Sequence, residues 1–522
     1  MREYDVVVVG SGFGGAVAAL RLAEKGYRVA VLEAGRRFEP HELPKTSWRV
    51  RDYLWAPRLG CRGIQRITLL RDVLVLSGAG VGGGSLVYAN TLYEPPAEVW
   101  RDDAWAEELD PWYDQARRML GVVAFPGNTD ADDVMRGVAR RLGVEATFER
   151  TPVGVYFGHD GVDPYFGGAG PPRHGCDLRG ACMTGCRRGA KNSLDRNYLW
   201  LAERAGAEIH PETEVRRLRV CDNLSQARWE LDTRRETFRA RDVVLAAGVL
   251  GTLRILFRSG LGGPRVGDDV RTNSEVIMGA SASRVRPGVD YSRGVAITSM
   301  IRADEDTFIQ PVRYGRGSNL MGALGTILVD EPGPLSWAAA AARHPLAFAR
   351  SLSLRRWSER TVILLVMQTR ENALRVRMTR RGRLTTLEST APAKIRVADE
   401  AARIAAELVG GHPGASVNEA ILGTPMTAHI LGGACVGLVV DRYHRVADAP
   451  GLHVVDGSAV NANLGVNPSL TIAAQAERAC ALWPNRGERD ERPPLGGDYV
   501  QLEGIRPSRP AVPAGAPAAL RH

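Results

Sequence analysis

The strand Tyr4–Val9 runs directly into Gly10-Ser-Gly12-Phe13-Gly14-Gly15. In Gly10-x-Gly12-x-x-Gly15 the first glycine permits a tight turn and the second lets backbone approach a phosphate. The third lets the following helix pack on the sheet. That helix then meets a pyrophosphate with free amides and the positive end of its dipole. The pattern alone is common. Here it sits inside a β-α-β unit, with an amphipathic helix Ala16–Lys25 closed by Gly26 and a second strand Arg28–Leu32. Glu33 ends that strand about 20 residues on, placed for a ribose hydroxyl. An acidic residue there favours FAD or NAD over NADP, and a clamp at the start of a long chain favours FAD.

At 522 residues the chain exceeds the usual single-domain size, so two domains are expected. A hydrophobic content of 44% and a net charge of +9 describe a globular protein with a basic surface. The basic residues are nearly all scattered arginines, with lysine only at Lys25, Lys45, Lys191 and Lys394. Solvated arginine is the favoured reading and attraction to an anionic lipid surface the alternative; nucleic acid is set aside. A strand starting at Tyr4 leaves no room for a secretory signal, and no apolar run reaches about 18 residues. A cytoplasmic location, with peripheral membrane contact, is the expectation. Seven cysteines in this length do not make a disulfide framework.

Further along, residues 71–92 are dense in glycine, with Gly78, Gly80, Gly82, Gly83 and Gly84 before Ser85. Glycine packed this densely among hydrophobic residues marks backbone pressed against a ligand, here the diphosphate and a ring system. Residues 100–145 read as helical, anchored by Trp100, Trp105, Trp112 and Leu120, and a loop rich in Pro, Gly and Cys follows at 158–190. A second α/β passage covers 195–251, with a helix 195–205 and strands 213–220 and 243–247. Residues 275–420 lose that rhythm: β-like runs at 363–367 and 374–378 alternate with an Ala-rich helix near 336–350. That helix reads either as a lid over a substrate opening or as an ordinary amphipathic element. Past Trp483 the Pro- and Arg-rich tail is expected to be extended or partly disordered.

The fold expected is α/β: a discontinuous Rossmann-like FAD domain (1–40, 70–125, 187–275 and 425–485) with an α+β substrate domain carrying a mainly antiparallel sheet (41–69, 126–186 and 276–424). Residues 486–522 form the tail.

The C-terminal segment supplies the reactive half. Asn467-Pro468-Ser-Leu-Thr-Ile reads as a helix start, with Asn467 as N-cap and Pro468 in the first turn. Aimed at a flavin, that helix end favours negative charge on the ring. Asp456 and Gly457 follow a strand at 452–455, with Asp456 placed for ribityl hydroxyls. His429 precedes Leu-Gly-Gly.

These motifs, with Leu245-Ala-Ala-Gly248-Val-Leu-Gly251-Thr and Ser259-Gly-Leu-Gly262, resemble the glucose–methanol–choline (GMC) oxidoreductases along nearly the whole chain. Within them the chain is similar to the intracellular, actinobacterial-type cholesterol oxidases. The resemblance implies FAD, with Asn90, Val215 and Gly248 joining the two glycine runs, Ser85, Glu33, Phe13 and the Asp456–Pro468 segment around it. It implies that His429 stands near the substrate hydroxyl and that Asn467 touches the flavin edge. Glu359, in Trp357-Ser-Glu359-Arg, takes the place of a carboxylate that shifts a sterol double bond, its pKa raised by apolar surroundings. The implied reaction is oxidation of a sterol 3β-hydroxyl with oxygen reduced to hydrogen peroxide, coupled to Δ5 to Δ4 isomerisation.

After Ser85 the chain reads Leu-Val-Tyr88-Ala-Asn90, where the secreted sterol oxidases place an asparagine directly after Ser-Leu-Val. A dehydrogenase for another hydrophobic alcohol, using a different electron acceptor, is therefore the alternative; a silent flavoprotein is a further one. In Cys176-x5-Cys182-x3-Cys186, Arg179 stands where a cysteine would complete an iron–sulfur pattern. Free thiols and no metal are expected.

Overall fold

The computed structural model describes residues 2–100, 102–221, 227–392 and 394–521. Val6–Val9, apolar on every residue, form a strand buried on both faces, as a parallel sheet requires. Its neighbours are also parallel: Val29–Leu32 on one side, with Glu208–His210 beyond, and Thr237–Leu245 on the other. The strand Thr237–Leu245 forks. Its first half pairs antiparallel with Trp229–Asp232, which leads on to Arg217–Val220, and its last three residues pair parallel with Leu452–Val454. The chain thus returns after some 200 residues to finish the sheet it began. Helices Phe13–Glu24, Asp103–Met119, Tyr198–Arg204 and Ser469–Ala481 pack together beside this sheet.

The second sheet is antiparallel at every pairing. Its order is Gly325–Ile327, Gly411–Ser416, Val276–Ala282, Thr361–Gln368, Thr307–Val312, Ser299–Arg302 and Glu149–Arg150. Alternation splits its residues between two faces. Val276, Met278, Ala280, Val362, Leu364 and Val366 bury against the helices Asp130–Arg141 and Arg396–Val409. The opposite face, with Ile277, Gly279, Ile363 and Leu365, borders the cavity described below.

Helix Arg396–Val409 is absent from the sequence reading, although its buried stripe, Ala398, Ala401, Ala402, Ala405 and Ala406 with Val409, recurs at helical spacing and contrasts sharply with the charged opposite face. The Ala-rich stretch near 336–350 is two helices, Pro334–Arg343 and Pro345–Ser351, broken at His344. Each carries a proline in its first turn, where a missing N–H does no harm.

The tail from 484 to 521 has no helix or strand, yet it is packed down. Arg509 N donates to Glu24 O at 3.0 Å and Ala511 N to the Glu24 carboxylate at 2.8 Å. Ala518 N reaches Tyr165 O at 3.0 Å, and Val512, Ala518 and Ala519 are buried in the hydrophobic core around the parallel strands. No helix among the described residues is long and apolar enough to cross a membrane.

Candidate active site

One continuous cavity of about 420 Å³ passes between the two sheets. At one end it is bordered by Gly10–Gly14, Glu33, Val215 and Gly248; in the middle by Gly83, Gly84, Asp456, Gly457 and Pro468; beyond them by His429 and Asn467 and then by an apolar chamber.

The first glycine run is cut to fit its neighbours. A Cβ on Gly14 would lie 2.0 Å from Val455 O, and one on Gly15 would lie 2.1 Å from Gly10 O, so only glycine lets the helix approach turn and sheet. Gly12 differs: a Cβ there would meet nothing within 4 Å and would point into open space, as would one on Gly84 or Gly248. Three backbone positions around one cavity therefore leave a strip of room of the kind a diphosphate and a ring occupy. Glu33 is buried and accepts from Ser11 N (3.1 Å), Ser11 Oγ (2.7 Å), Gly35 N (2.8 Å) and Gly80 N (3.3 Å). It organises the turn at this end of the cavity. Arg66 and Arg254 border this end too, and burial lowers the pKa of both.

The second glycine run divides its work. Gly83 and Gly84 border the cavity, whereas Gly80 packs against Phe38 and Leu86. Ser85 Oγ donates to Gly82 O at 2.6 Å and accepts from Leu194 N at 2.9 Å, so Gly82 and Ser85 shape the turn behind the wall. Asn90 also lies behind it. Its backbone is left-handed (φ 64°), Ala89 and Thr91 on either side border the cavity, and the Asn90 amide is buried against the Cys182 thiol.

At the reactive end, Nδ2 of Asn467 lies 3.3 Å from Nε2 of His429. Asn467 does not cap the helix that follows; Pro468 is the cap, and the amide oxygen of Asn467 accepts instead from Gln310 Nε2 at 3.0 Å. The loop is held by Asn273, whose amide donates to Val466 O and accepts from Gly465 N, both at 2.9 Å. On the other side of the imidazole, Nδ1 lies 3.0 Å from a carboxylate oxygen of Glu275. That same oxygen accepts from Thr427 Oγ1 (2.9 Å) and Ala428 N (3.1 Å). Glu275 and Gln310, both fully buried, escaped the sequence reading because a single Glu or Gln in a β-like run carries no motif. The nearby Glu419 joins two strands, accepting from Ile277 N and Met426 N at 3.2 Å, and burial pushes its pKa up to about 8.

Asp456 takes Ser458 N at 2.9 Å and the hydroxyls of Ser458 and Thr252, and burial raises its pKa. Glu359 departs from expectation. Burial alone would raise its pKa, but hydrogen bonds from Arg356 and Arg316, with their charges, more than offset this and hold the carboxylate below its usual range. The polar contacts all fall on Oε1, at 2.8–3.0 Å. Its surroundings are cationic rather than apolar. Among the cysteines, Cys176, Cys182 and Cys186 are free thiols.

Comparison with known proteins places this geometry. The sequence model of the GMC oxidoreductases matches residues 4–275 and 368–476. The chain belongs to the GMC oxidoreductase family. It is 50% identical to a cholesterol oxidase of Mycobacterium tuberculosis, over 99% of this chain and 98% of that one. It is 38% identical to a cholesterol oxidase of Acinetobacter baumannii, covering 94% and 96%. Its fold matches the crystal structure of pyridoxine 4-oxidase from Mesorbium loti with a TM-score of 0.55 at 18% identity, over 91% of this chain and 98% of that one. GMC oxidoreductases are FAD-dependent, and the open strip over Gly12, Gly84 and Gly248 ends at His429 and Asn467 as such a cofactor requires.

Proposed function

We propose that this GMC oxidoreductase oxidises the 3β-hydroxyl of a sterol. The reading is carried by the His429–Asn467 pair opening onto a chamber walled by Ile277, Ile297, Val312, Leu324, Ile363 and Leu365. A long apolar chamber with polar atoms at its inner end suits a rigid hydrocarbon bearing one alcohol. The two full-length relatives, both named cholesterol oxidases, support the same substrate class.

The Glu275 carboxylate 3.0 Å from Nδ1 favours the tautomer with its proton there, which leaves Nε2 as the accepting atom, and a substrate hydroxyl entering between Nε2 and the Asn467 amide replaces their direct contact. Nε2 then takes the hydroxyl proton while the Asn467 amide holds the oxygen; such help is typically worth about 10²–10⁴-fold. FAD, when bound, would supply the hydride acceptor for C3, with molecular oxygen as the final two-electron acceptor and hydrogen peroxide as its product. The apolar walls keep water from the reacting carbon.

The second step, a Δ5 to Δ4 shift, would need a base at C4, next to the reacting carbon and so at the His429 end of the chamber. Glu359 does not border the cavity as Trp357 and Thr361 do, and Thr361 stands opposite Ser281 at the end remote from Glu275, so Glu359 is not placed for that role. Arg316 and Arg356 hold its carboxylate ionised in an ion-pair cluster behind the wall. The other reading, a dehydrogenase with a different electron acceptor, draws on Asn90 lying behind the cavity wall.

The helices Pro334–Arg343 and Pro345–Ser351 and the turn after them expose Leu335, Leu346 and Leu352, with Arg343, Arg350 and Arg355 also exposed in the same stretch. Such a surface fits transient contact with an anionic bilayer from which a sterol is drawn. Co-sedimentation with anionic but not neutral vesicles tests this contact.

The deciding experiment adds cholesterol to the holoenzyme without air and then with it. Bleaching of the flavin, followed in air by equal amounts of peroxide and 4-en-3-one, supports the scheme. Bleaching by cholesterol with no peroxide favours the dehydrogenase, and no bleaching removes the sterol. In Glu359→Gln an unchanged 4-en-3-one product is expected; accumulation of 5-en-3-one would return Glu359 to the second step.

A further inference from the structure

The chamber floor is one face of the antiparallel sheet, and its chemistry changes along the strands. Glu275, Ile277, Gly279 and Ser281 follow one another on that face. In register beside them, Leu365 stands opposite Ile277, Ile363 opposite Gly279 and Thr361 opposite Ser281; on the other side His412 stands opposite Ser281. The reactive end therefore gives way to two apolar rows and then to a polar one, Thr361–Ser281–His412. Six residues of strand separate Glu275 from Ser281, about 20 Å. That span is comparable with the long axis of a sterol, side chain included, lying with its ring hydroxyl at His429.

The polar row is not closed on itself. Ser281 and Thr361 share a hydrogen bond of 2.8 Å, but Nδ1 of His412 has no partner although the residue is only 8% exposed. All three side chains border the cavity, with Ser351 beside them. Just past the row, Arg360 donates to Ala282 O at 3.2 Å and Arg350 to Ser283 Oγ at 3.3 Å. Burial, and then the charges of Arg360 and Arg350, push the His412 pKa down to about 4, so the ring meets its ligand neutral. For a tail of hydrocarbon alone this row is a poor lining, since it leaves a buried polar atom unpaired.

Building on the sterol reading above, we infer that the far end of the chamber recognises an oxygen function at the tip of the substrate's side chain. A hydroxyl or a carboxylate there is received by His412, Ser281 and Thr361. Arg350 and Arg360 favour the carboxylate, because an anion gains from both charges. The preferred substrate is then a sterol whose side chain has already passed through an oxidation, and the reaction that supplies it is a side-chain hydroxylation or its continuation to the acid.

The test uses the FAD-loaded full chain with three 3β-hydroxysterols: cholesterol, its terminal side-chain alcohol and the corresponding side-chain acid. The expected order of kcat/KM is acid, then alcohol, then cholesterol, with the acid ahead of cholesterol by about tenfold or more. In His412→Leu that ratio is expected to fall toward one; solubility differences among the sterols are common to both proteins and cancel in the comparison. Equal kcat/KM across the three in the wild type, or a ratio unchanged in the variant, overturns the inference. Should His412→Leu fail to fold with FAD, Ser281→Ala replaces it, with the same two outcomes. If none of the three bleaches the flavin anaerobically, the sterol reading itself falls; equal rates bring down only the side-chain claim.

Discussion

A carboxylate oxygen of Glu275 lies 3.0 Å from Nδ1 of His429, and its other oxygen, buried, has no partner. The acid is placed to hold the imidazole in one tautomer and one orientation, not to touch substrate. Glu275→Gln keeps the shape and removes the charge. We expect kcat to fall by about 10²-fold with KM changed little, and FAD content by absorbance to stay the same. A variant that loses FAD in proportion to activity would instead assign Glu275 to folding.

Gly12 and Gly14 stand two residues apart and predict opposite failures. At Gly12 a methyl group strikes no protein atom but enters the cofactor's space. Gly12→Ala should fold with unchanged melting of the apoprotein and bind FAD on the order of tenfold more weakly, a loss of about 1.4 kcal/mol. Gly14→Ala drives its methyl into Val455 O and should reduce folded yield outright. Titrating apoprotein with FAD by fluorescence, beside a thermal melt, separates the two.

Glu419 makes stability depend on pH. Its native pKa, raised to about 8, lies above that of the unfolded chain. Between roughly pH 4.5 and 8 the unfolded state gives up a proton that the native state keeps, so this group's contribution declines by about 1.4 kcal/mol per pH unit as pH rises. Glu419→Gln holds no such proton. Its stability relative to wild type should grow from pH 5 to pH 8 and then level off, as read by denaturant midpoints across that range.

The tail behaves as a strap. Removing residues 504–522 strips the bonds at Glu24 and Tyr165 and uncovers the core beneath Val512 and Ala518. A fall in Tm on the order of 5 °C is expected, with faster proteolysis near the helix Phe13–Glu24. An unchanged melt would mean that the strap is decoration.

The sequence was most informative where function narrows the choice of residue. Only glycine fits at positions 14 and 15, and a strand–turn–helix with Glu33 behind it admits few alternatives, so the dinucleotide half was legible at once. The reactive half was legible through His429 and Asn467 but not through what holds them. Glu275, Gln310 and Asn273 act by long-range contacts that no local pattern encodes. Helix Arg396–Val409 is a different case: its alanine stripe at helical spacing, set against Arg403, Glu400 and Glu407, was legible in the sequence and was overlooked. The arginines around Glu359 lie 3 and 43 residues away, and only the fold brings Arg316 to it.

The fork in the strand Thr237–Leu245 bears on how this molecule is made. The clamp at Gly10–Gly15 leaves the ribosome early, but the parallel partner of Val243–Leu245 is Leu452–Val454, and Asn467 comes later still. At roughly 5–20 residues per second, on the order of a minute passes between the two. Throughout that time the half-built sheet offers an unpaired edge, and a nascent chain that captured FAD would hold it by the phosphates alone. Cofactor loading is therefore tied to completion of the chain, and a translational pause between residues 250 and 450 would prolong exposure of that edge.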